Sequence, residues 1–196
     1  MGLELIPAAI RSRYRFYERD HACAILAKDF ASEFRDICDC LAAFVLKHSA
    51  ISTPGGSRSP ISIALDSFLA GRGWAEKKFD IKIEVDGQAV PIPTHKIDNF
   101  KNRVGLEVEW NNKDPFYDRD LNNFRLLRNL GVLSVGVIVT RLTELQTLFN
   151  SMGRGASYGN STTHWEKLMP RVHGGGAGGC PLLLVGMGMA CYDANA

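Results

Sequence analysis

The stretch Ile97–Asp114, IDNFKNRVGLEVEWNNKD, decides how the rest of the chain is read. Val104, Leu106, Val108 and Trp110 alternate with Gly105, Glu107 and Glu109, the period of two expected of a strand whose successive side chains point to opposite faces. Glu107 and Glu109 therefore share a face, about 7 Å apart along the strand at roughly 3.3 Å per residue. Asp98 stands nine positions before Glu107, after Pro91, Pro93 and Thr94, which suggest an edge strand or an irregular strand start. If Asn99–Arg103 form a hairpin turn, Asp98 returns beside Glu107 and three carboxylates converge. Like charges this close need a cation or shared protons. A hard divalent ion such as Mg2+, which takes oxygen ligands and keeps several waters, suits them. Alternating glutamates on a strand also describe a solvated outer face, so the pair alone does not decide the matter.

Downstream, Asp114 and Pro115 mark a helix start, with Asp114 as N-cap and Pro115 at the first helical position. Tyr117, Leu121, Phe124, Leu127 and Leu130 recur at helical spacing, and Gly131 stands where a C-terminal glycine is expected. Val132–Thr140 is a Val-rich apolar run, the composition of a strand buried on both faces. Strand, helix and strand with short connections predict a right-handed crossover and parallel pairing. The architecture is α/β, with a mixed sheet whose antiparallel hairpin supplies the carboxylates.

Taken together, an Asp, eight intervening residues and Glu-Val-Glu, then a helix and the run RNLGVLSVGVIVT (Arg128–Thr140), resemble the BglII/BamHI-like type II restriction endonucleases of the PD-(D/E)XK nuclease fold. The resemblance is clearest over Thr94–Thr140 and continues more weakly through STTHWEKLMP (Ser161–Pro170) and GGCPLLLVGMG (Gly178–Gly188). It implies an α/β fold with a PD-(D/E)XK nuclease-like mixed sheet flanked by helices. It also implies Mg2+-dependent hydrolysis of phosphodiester bonds in double-stranded DNA at a short palindromic site. The family's Asp falls on Asp98 and its first strand Glu on Glu107, the implied Mg2+ ligands. Where the wider fold carries Lys this chain has Glu109, as in the BamHI-like form, whereas BglII-like members have Gln. Which group prepares the attacking water is left open. One site per chain and two strands to cut imply a homodimer on a two-fold target. Four-base 5′ extensions, and a cognate methyltransferase acting on the same site without binding this protein, are implied too.

The polar, glycine-rich segment GRGASYGNSTTH (Gly153–His164) reads either as a connector or as a DNA-contacting loop. In favour of the second are Arg154, Ser157, Tyr158, Asn160, Ser161 and Thr162, together with the family's placement of this region near the major groove. Arg reads guanine and Asn reads adenine by paired hydrogen bonds. Asn111 and Asn112 are similar candidates directly beyond the acidic strand, and Lys113 is a candidate phosphate contact. Thr163 and Glu166 have the spacing of a capping box at the start of a short helix, and His164 reads as structural. GGGAGG (Gly174–Gly179) lacks the Gly-Lys-Ser/Thr of a phosphate loop and precedes a strand. It reads as a flexible loop touching the DNA backbone.

The remaining residues suit a scaffold. A chain of 196 residues suffices for one domain with a sizeable core. We divide it into a helical part at about 1–72, a catalytic sheet core at about 74–140, and DNA-contacting loops with a closing strand at about 141–196. The composition, 45% hydrophobic and 22% charged, is that of a soluble globular protein. Apolar runs fall short of a membrane span, and the start MGLELIPAAIRSRY lacks the order of a signal peptide, which points to the cytoplasm. A net charge of +2 does not itself announce a nucleic-acid partner. Arg11, Arg13, Arg15 and Arg19 are either a phosphate-binding cluster or a solvated basic face.

Asp20–His48 reads as one amphipathic helix. Within it Cys23 and Cys38 would lie about 22 Å apart, too far for a zinc site with His21 and Cys40. Five unevenly spaced cysteines argue against a disulfide framework. The segment Ser52–Pro60 reads as a loop, Pro60 opens a helix over Ile61–Ala70, and Asp86-Gly87 signals a hairpin, with Glu84 either a fourth acid near the site or, the better reading, a solvent-facing strand residue. Other helical expectations are about Leu142–Met152 and a strand at Leu182–Val185. Two other functions use the same residues. A non-cleaving DNA-binding module on this fold would leave Asp98, Glu107 and Glu109 without a use. A metal-independent glycosidic hydrolase with two carboxylates would want an aromatic-rich cleft, for which Trp74, Trp110 and Trp165 are the available tryptophans.

Overall fold

The computed structural model describes residues 2–52, 58–92, 94–113 and 115–196. In chain order the elements are α1 (Ala8–Arg11), β1 (Tyr14–Arg19), α2 (Ala22–Asp29), α3 (Ala31–Ala43), β2 (Leu46–Lys47), α4 (His48–Ser52) and α5 (Pro60–Ala70). Then follow β3 (Ala75–Lys77), β4 (Ile81–Val85), β5 (Gln88–Ile92), β6 (Ile97–Lys101), β7 (Val104–Glu109), α6 (Phe116–Asn129) and β8 (Val135–Arg141). The chain ends with α7 (Leu145–Ser151), α8 (Trp165–His173), β9 (Leu182–Met187) and β10 (Tyr192–Asp193). Pro93, the N-cap candidate Asp114 and most of the loop expected at Ser52–Pro60 lie outside the described residues.

Six strands form a mixed sheet in the order β1-β9-β8-β7-β6-β3. The expected parallel pairing is present: β7 and β8 run parallel in the register Val104↔Val135 through Glu109↔Thr140, joined by α6. The acidic hairpin is present too, with β6 antiparallel to β7 and Asn99 facing Leu106. Its turn is tighter than Asn99–Arg103. Asn99–Lys101 stay in the strand, and Asn102 and Arg103 alone turn the chain, both at positive φ (44° and 71°). Such a two-residue turn matches the right-handed twist of its strands.

The sheet separates two apolar layers. Val104, Leu106, Val108, Val135, Val137, Val139, Leu183 and Val185 form one core with Leu26 of α2, Ile37 and Leu41 of α3 and Leu65 and Leu69 of α5. Ile138, Leu182 and Leu184 form the other with Tyr117, Leu121, Phe124 and Leu127 of α6 and Trp165, Leu168 and Val172 of α8. On that second face Gly105 of β7 lies opposite Gly136 of β8, and the Phe124 ring fills the notch they leave. A Cβ built on Gly136 would stand 2.5 Å from the ring, and one on Gly105 3.3 Å. This notch seats α6 directly against the acidic strand.

Two expectations are corrected. Asp20–His48 is not one helix: Phe30 leaves helical backbone (φ −131°, ψ 45°), and Phe44 is extended before β2. The break lets α2 and α3 pack separately on one sheet face, so an amphipathic stripe continues across two helices. In the arginine cluster Arg11 and Arg15 are exposed and Arg13 and Arg19 partly buried. Arg13 donates to the carbonyls of Ala42 and Phe44, Arg19 to that of Val172 and Arg11 to that of Ile6. Arg15 lies over the Trp165 ring. The Pro115 position precedes α6 instead of opening it. Other readings hold: Pro60 opens α5, which Ser59 caps, Gly131 follows α6 at φ 70°, and β4 and β5 pair about Asp86 and Gly87. All five cysteines are buried free thiols. Burial, with Asp39 beside it, pushes the Cys38 thiol up to about 11, so it stays protonated and is a poor zinc ligand.

Gly136→Ala should overpack the notch and cost about 1–3 kcal/mol, read as a lower denaturant midpoint at unchanged slope. A wild-type midpoint would show that Phe124 is not fixed there.

Candidate active site

β7 lies inside the sheet, yet two of its six residues are glutamates, each only 1% exposed. Both point to the side occupied by α6, the face on which Gly105 meets Phe124. Asp98 of β6 lies beside Glu107, and its backbone N–H donates to Glu107 Oε2 at 3.1 Å. Glu107 Oε1 has no hydrogen-bond partner. Glu109 is held differently. Its Oε2 accepts from Asn112 Nδ2 at 2.8 Å, and its Oε1 lies 3.8 Å from Arg119 Nη2. Its backbone carbonyl accepts from Thr140 Oγ1, which is in turn bonded to the Tyr117 hydroxyl.

Two further acids complete the cluster, and neither was picked out from the sequence. Asp120 of α6 is 1% exposed. Arg119 donates to its Oδ1 from Nη2 at 2.9 Å and from Nε at 3.0 Å, its other oxygen is unpartnered, and its charge lies close enough to the Glu109 carboxyl to raise it. Its signal was available. Asp120 stands three residues after Tyr117 and four before Phe124, on the apolar stripe, where an acid has no structural use. Asp66 is the second, on α5 between Leu65 and Leu69. It accepts from Asn99 Nδ2 at 2.6 Å and pairs with Arg58.

Burial, then Asp66 and Asp120, raise the Asp98 carboxyl above the ordinary range. Burial, then Asp120 and Asp98, drive Glu107 well above it. Glu109 is pushed up to about 9 by burial and by Asp120, against the Asn112 and Arg119 contacts that favour its anion. Burial and mutual repulsion thus disfavour the ionised form of each of these acids, a cost that a cation would relieve. Among the described residues no three His, Cys, Asp or Glu side chains close around one point, so the expected convergence of three carboxylates is corrected. Glu107 stays with Asp98, while Glu109, one strand repeat away, turns to Asn112, Arg119 and Asp120. An all-oxygen donor set with an orphaned Glu107 oxygen fits a hard divalent ion that keeps much of its water.

The proposed DNA contacts divide. Ser157, Asn160, Ser161 and Lys113 are exposed, and Asn111, Asn112 and Arg154 are partly so. Tyr158 and Thr162 are buried and do not face outward: Tyr158 stacks on Phe149 at 4.1 Å, and the Thr162 hydroxyl is bonded to Arg141 and Gly159. Their polar atoms served the loop's own packing, which a count of hydrogen-bonding residues cannot distinguish from readout. Lys113 bridges Thr162, tying the loop to the end of the acidic strand. Glu84 is exposed on the separate β4–β5 hairpin.

The raised Glu109 carboxyl has a sign that can be tested. A carboxyl higher in the folded than in the unfolded chain stabilises fully below the ordinary value of 4.5 and loses that contribution as pH rises toward about 9. In EDTA, the wild-type melting temperature should therefore fall relative to that of Glu109→Gln between about pH 5 and 9. Parallel curves would refute the raised carboxyl.

Two comparisons bear on identity. The family described as "Restriction endonuclease BglII/BglIII" matches residues 14–187, from the first residue of β1 to the last of β9. No curated protein matches the chain. With nearly the whole sheet and its acidic strand inside the matched region, the chain belongs to the BglII/BglIII restriction endonuclease family.

Proposed function

We propose that this restriction endonuclease is a type II enzyme of the PD-(D/E)XK fold, cutting both strands of DNA at a short palindromic site in a Mg2+-dependent hydrolysis. The observation that carries the reading is the pair of buried glutamates on β7, with Glu107 beside Asp98 and one of its oxygens without a partner. A stable core has no reason to keep that arrangement. Asp98 and Glu107 would hold the ion, which when bound supplies positive charge against the scissile phosphate and acidifies its water.

The chain's own residues do the rest. Glu109 is the third catalytic group: Asn112 fixes one of its oxygens, and Arg119 and Asp120 flank the other. A carboxyl so placed can accept the proton of an attacking water once it is ionised. Asp120 keeps Arg119 at the rim, where the guanidinium also stacks over Phe116 at 4.3 Å. Ser157, Asn160 and Ser161, with Arg154, Asn111 and Asn112, form the set from which base contacts are drawn, and Lys113 faces the phosphates. One such site per chain and two strands to cut make the enzyme a homodimer acting about a two-fold axis. The residues 1–196 act as one endonuclease domain, since α2, α3, α5, α6 and α8 all cover the same sheet.

Digestion of a large unmethylated DNA with Mg2+ should give discrete fragments, lost with EDTA and reduced at least about 100-fold in rate in Glu107→Ala. DNA shifted in a gel but left uncut across metals would instead support a non-cleaving binding module. Fragments that persist in EDTA would sink the metal-dependent mechanism.

A further inference from the structure

We propose that Thr163 is a positioning residue of the nuclease reaction: it clasps Asn112, so that the seating of the loop Gly153–Thr163 sets the orientation of the Glu109 carboxyl. The inference rests on the nuclease reading above. Its basis is a series of hydrogen bonds running from the loop to the acid. Thr163, fully buried, accepts at Oγ1 from the Asn112 backbone N–H at 3.0 Å and donates its own N–H to the Asn112 carbonyl at 2.7 Å. Asn112 thus has both backbone polar groups fixed by one residue, and its side-chain amide donates to Glu109 Oε2 at 2.8 Å. The Asn112 backbone is fixed at one end of the path and its side-chain amide is engaged at the other. A shift of the loop reaches Glu109 through one residue.

The sequence gives Thr163 a different task, the N-cap of α8, and the structure does not use it so. The N-cap position is His164, which makes no side-chain capping bond. The hydroxyl that would ordinarily satisfy a helix terminus is spent on Asn112 instead. The other side of the loop is anchored by an equally unusual residue. Arg141 is 1% exposed, and among the described residues no carboxylate pairs with it. Its Nη2 donates to the Tyr158 carbonyl at 2.8 Å and to Thr162 Oγ1 at 3.1 Å, while its guanidinium lies 5.4 Å from the Phe149 ring on which Tyr158 stacks. Apolar residues would serve a core better than a buried cation without a counter-charge. Here the cation fixes the carbonyl and hydroxyl that set the loop's path into Thr163. The loop is thereby rigid where it meets the acidic strand and exposed at Ser157, Asn160 and Ser161. DNA engaging those side chains loads the clasp directly.

The test compares Thr163→Val, which removes the accepting oxygen at similar volume, with Thr163→Ser, which keeps it. Single-turnover cleavage with Mg2+ and affinity in EDTA are measured on a duplex carrying the site mapped from wild-type digestion. Misplacing Glu109 should slow Thr163→Val about 10- to 100-fold, with affinity falling by a clearly smaller factor and Thr163→Ser restoring most of the rate. Amide exchange should rise together at residues 110–113 and 158–163 and stay unchanged in β8 and α6. Arg141→Lys loosens the loop from its other side without touching Asn112, should show the same split, and decides the matter if Thr163→Val does not fold. Rate and affinity falling in parallel, a wild-type rate in Thr163→Val, or unchanged exchange at 110–113 would each overturn the assignment alone. A wild-type protein that cuts no DNA would overturn the nuclease reading and this inference with it.

Discussion

A carboxylate taken out of water costs several kcal/mol unless it is paired, protonated or joined by a cation, and β7 takes two of them into the sheet between β6 and β8. This constraint organises the neighbourhood. The Asp98 amide, the Asn112 side chain and Arg119 each bring a donor or a positive charge to one of the glutamates. What they do not supply is a partner for the last oxygen of Glu107 or of Asp120. The protein's own groups satisfy the cluster in part, and burial raises the carboxyls it leaves over. A site built this way is stabilised when its acids are protonated or when a cation joins them.

The scaffold around the acids is correspondingly stiff. Paired glycines on β7 and β8 admit the Phe124 ring, bringing α6 close enough for Asp120 to reach Glu109. The valines of both strands fill the opposite face against α3 and α5. Asp36, buried away from the site, is by contrast well matched. Asp36 accepts from Lys101 and from the Trp74 indole, and these partners hold its carboxyl below the ordinary range against the burial that would raise it. The contrast is informative: Asp36 is surrounded by donors, whereas Glu107 and Asp120 each keep an unpartnered oxygen among other acids.

The glycine-rich loop is similarly double in character. Its exposed side chains offer hydrogen bonds outward, while Tyr158, Thr162 and Thr163 are turned inward onto Phe149, Arg141 and Asn112. The inward residues give the loop a fixed base at the end of the strand that carries the acids.

Much of this was legible in the chain itself. The period of two in Val104–Trp110, the helical stripe from Tyr117 to Leu130 and the valine run before Thr140 gave the strand, helix and parallel strand, because side-chain direction in regular elements follows from backbone geometry alone. The Asp98–Glu107 neighbourhood followed from the hairpin. The long helix at Asp20–His48 was misread because an amphipathic stripe persists when two helices pack on one sheet face. Asp120 and Asp66 joined the site only in three dimensions, since they lie on helices separated from β7 in sequence and are brought to it by packing. The inward turn of Tyr158 and Thr162, and the clasp of Thr163 on Asn112, were likewise beyond the sequence. A hydroxyl caps a helix or bonds a distant backbone with equal chemistry, and only the tertiary fold decides which partner is within reach.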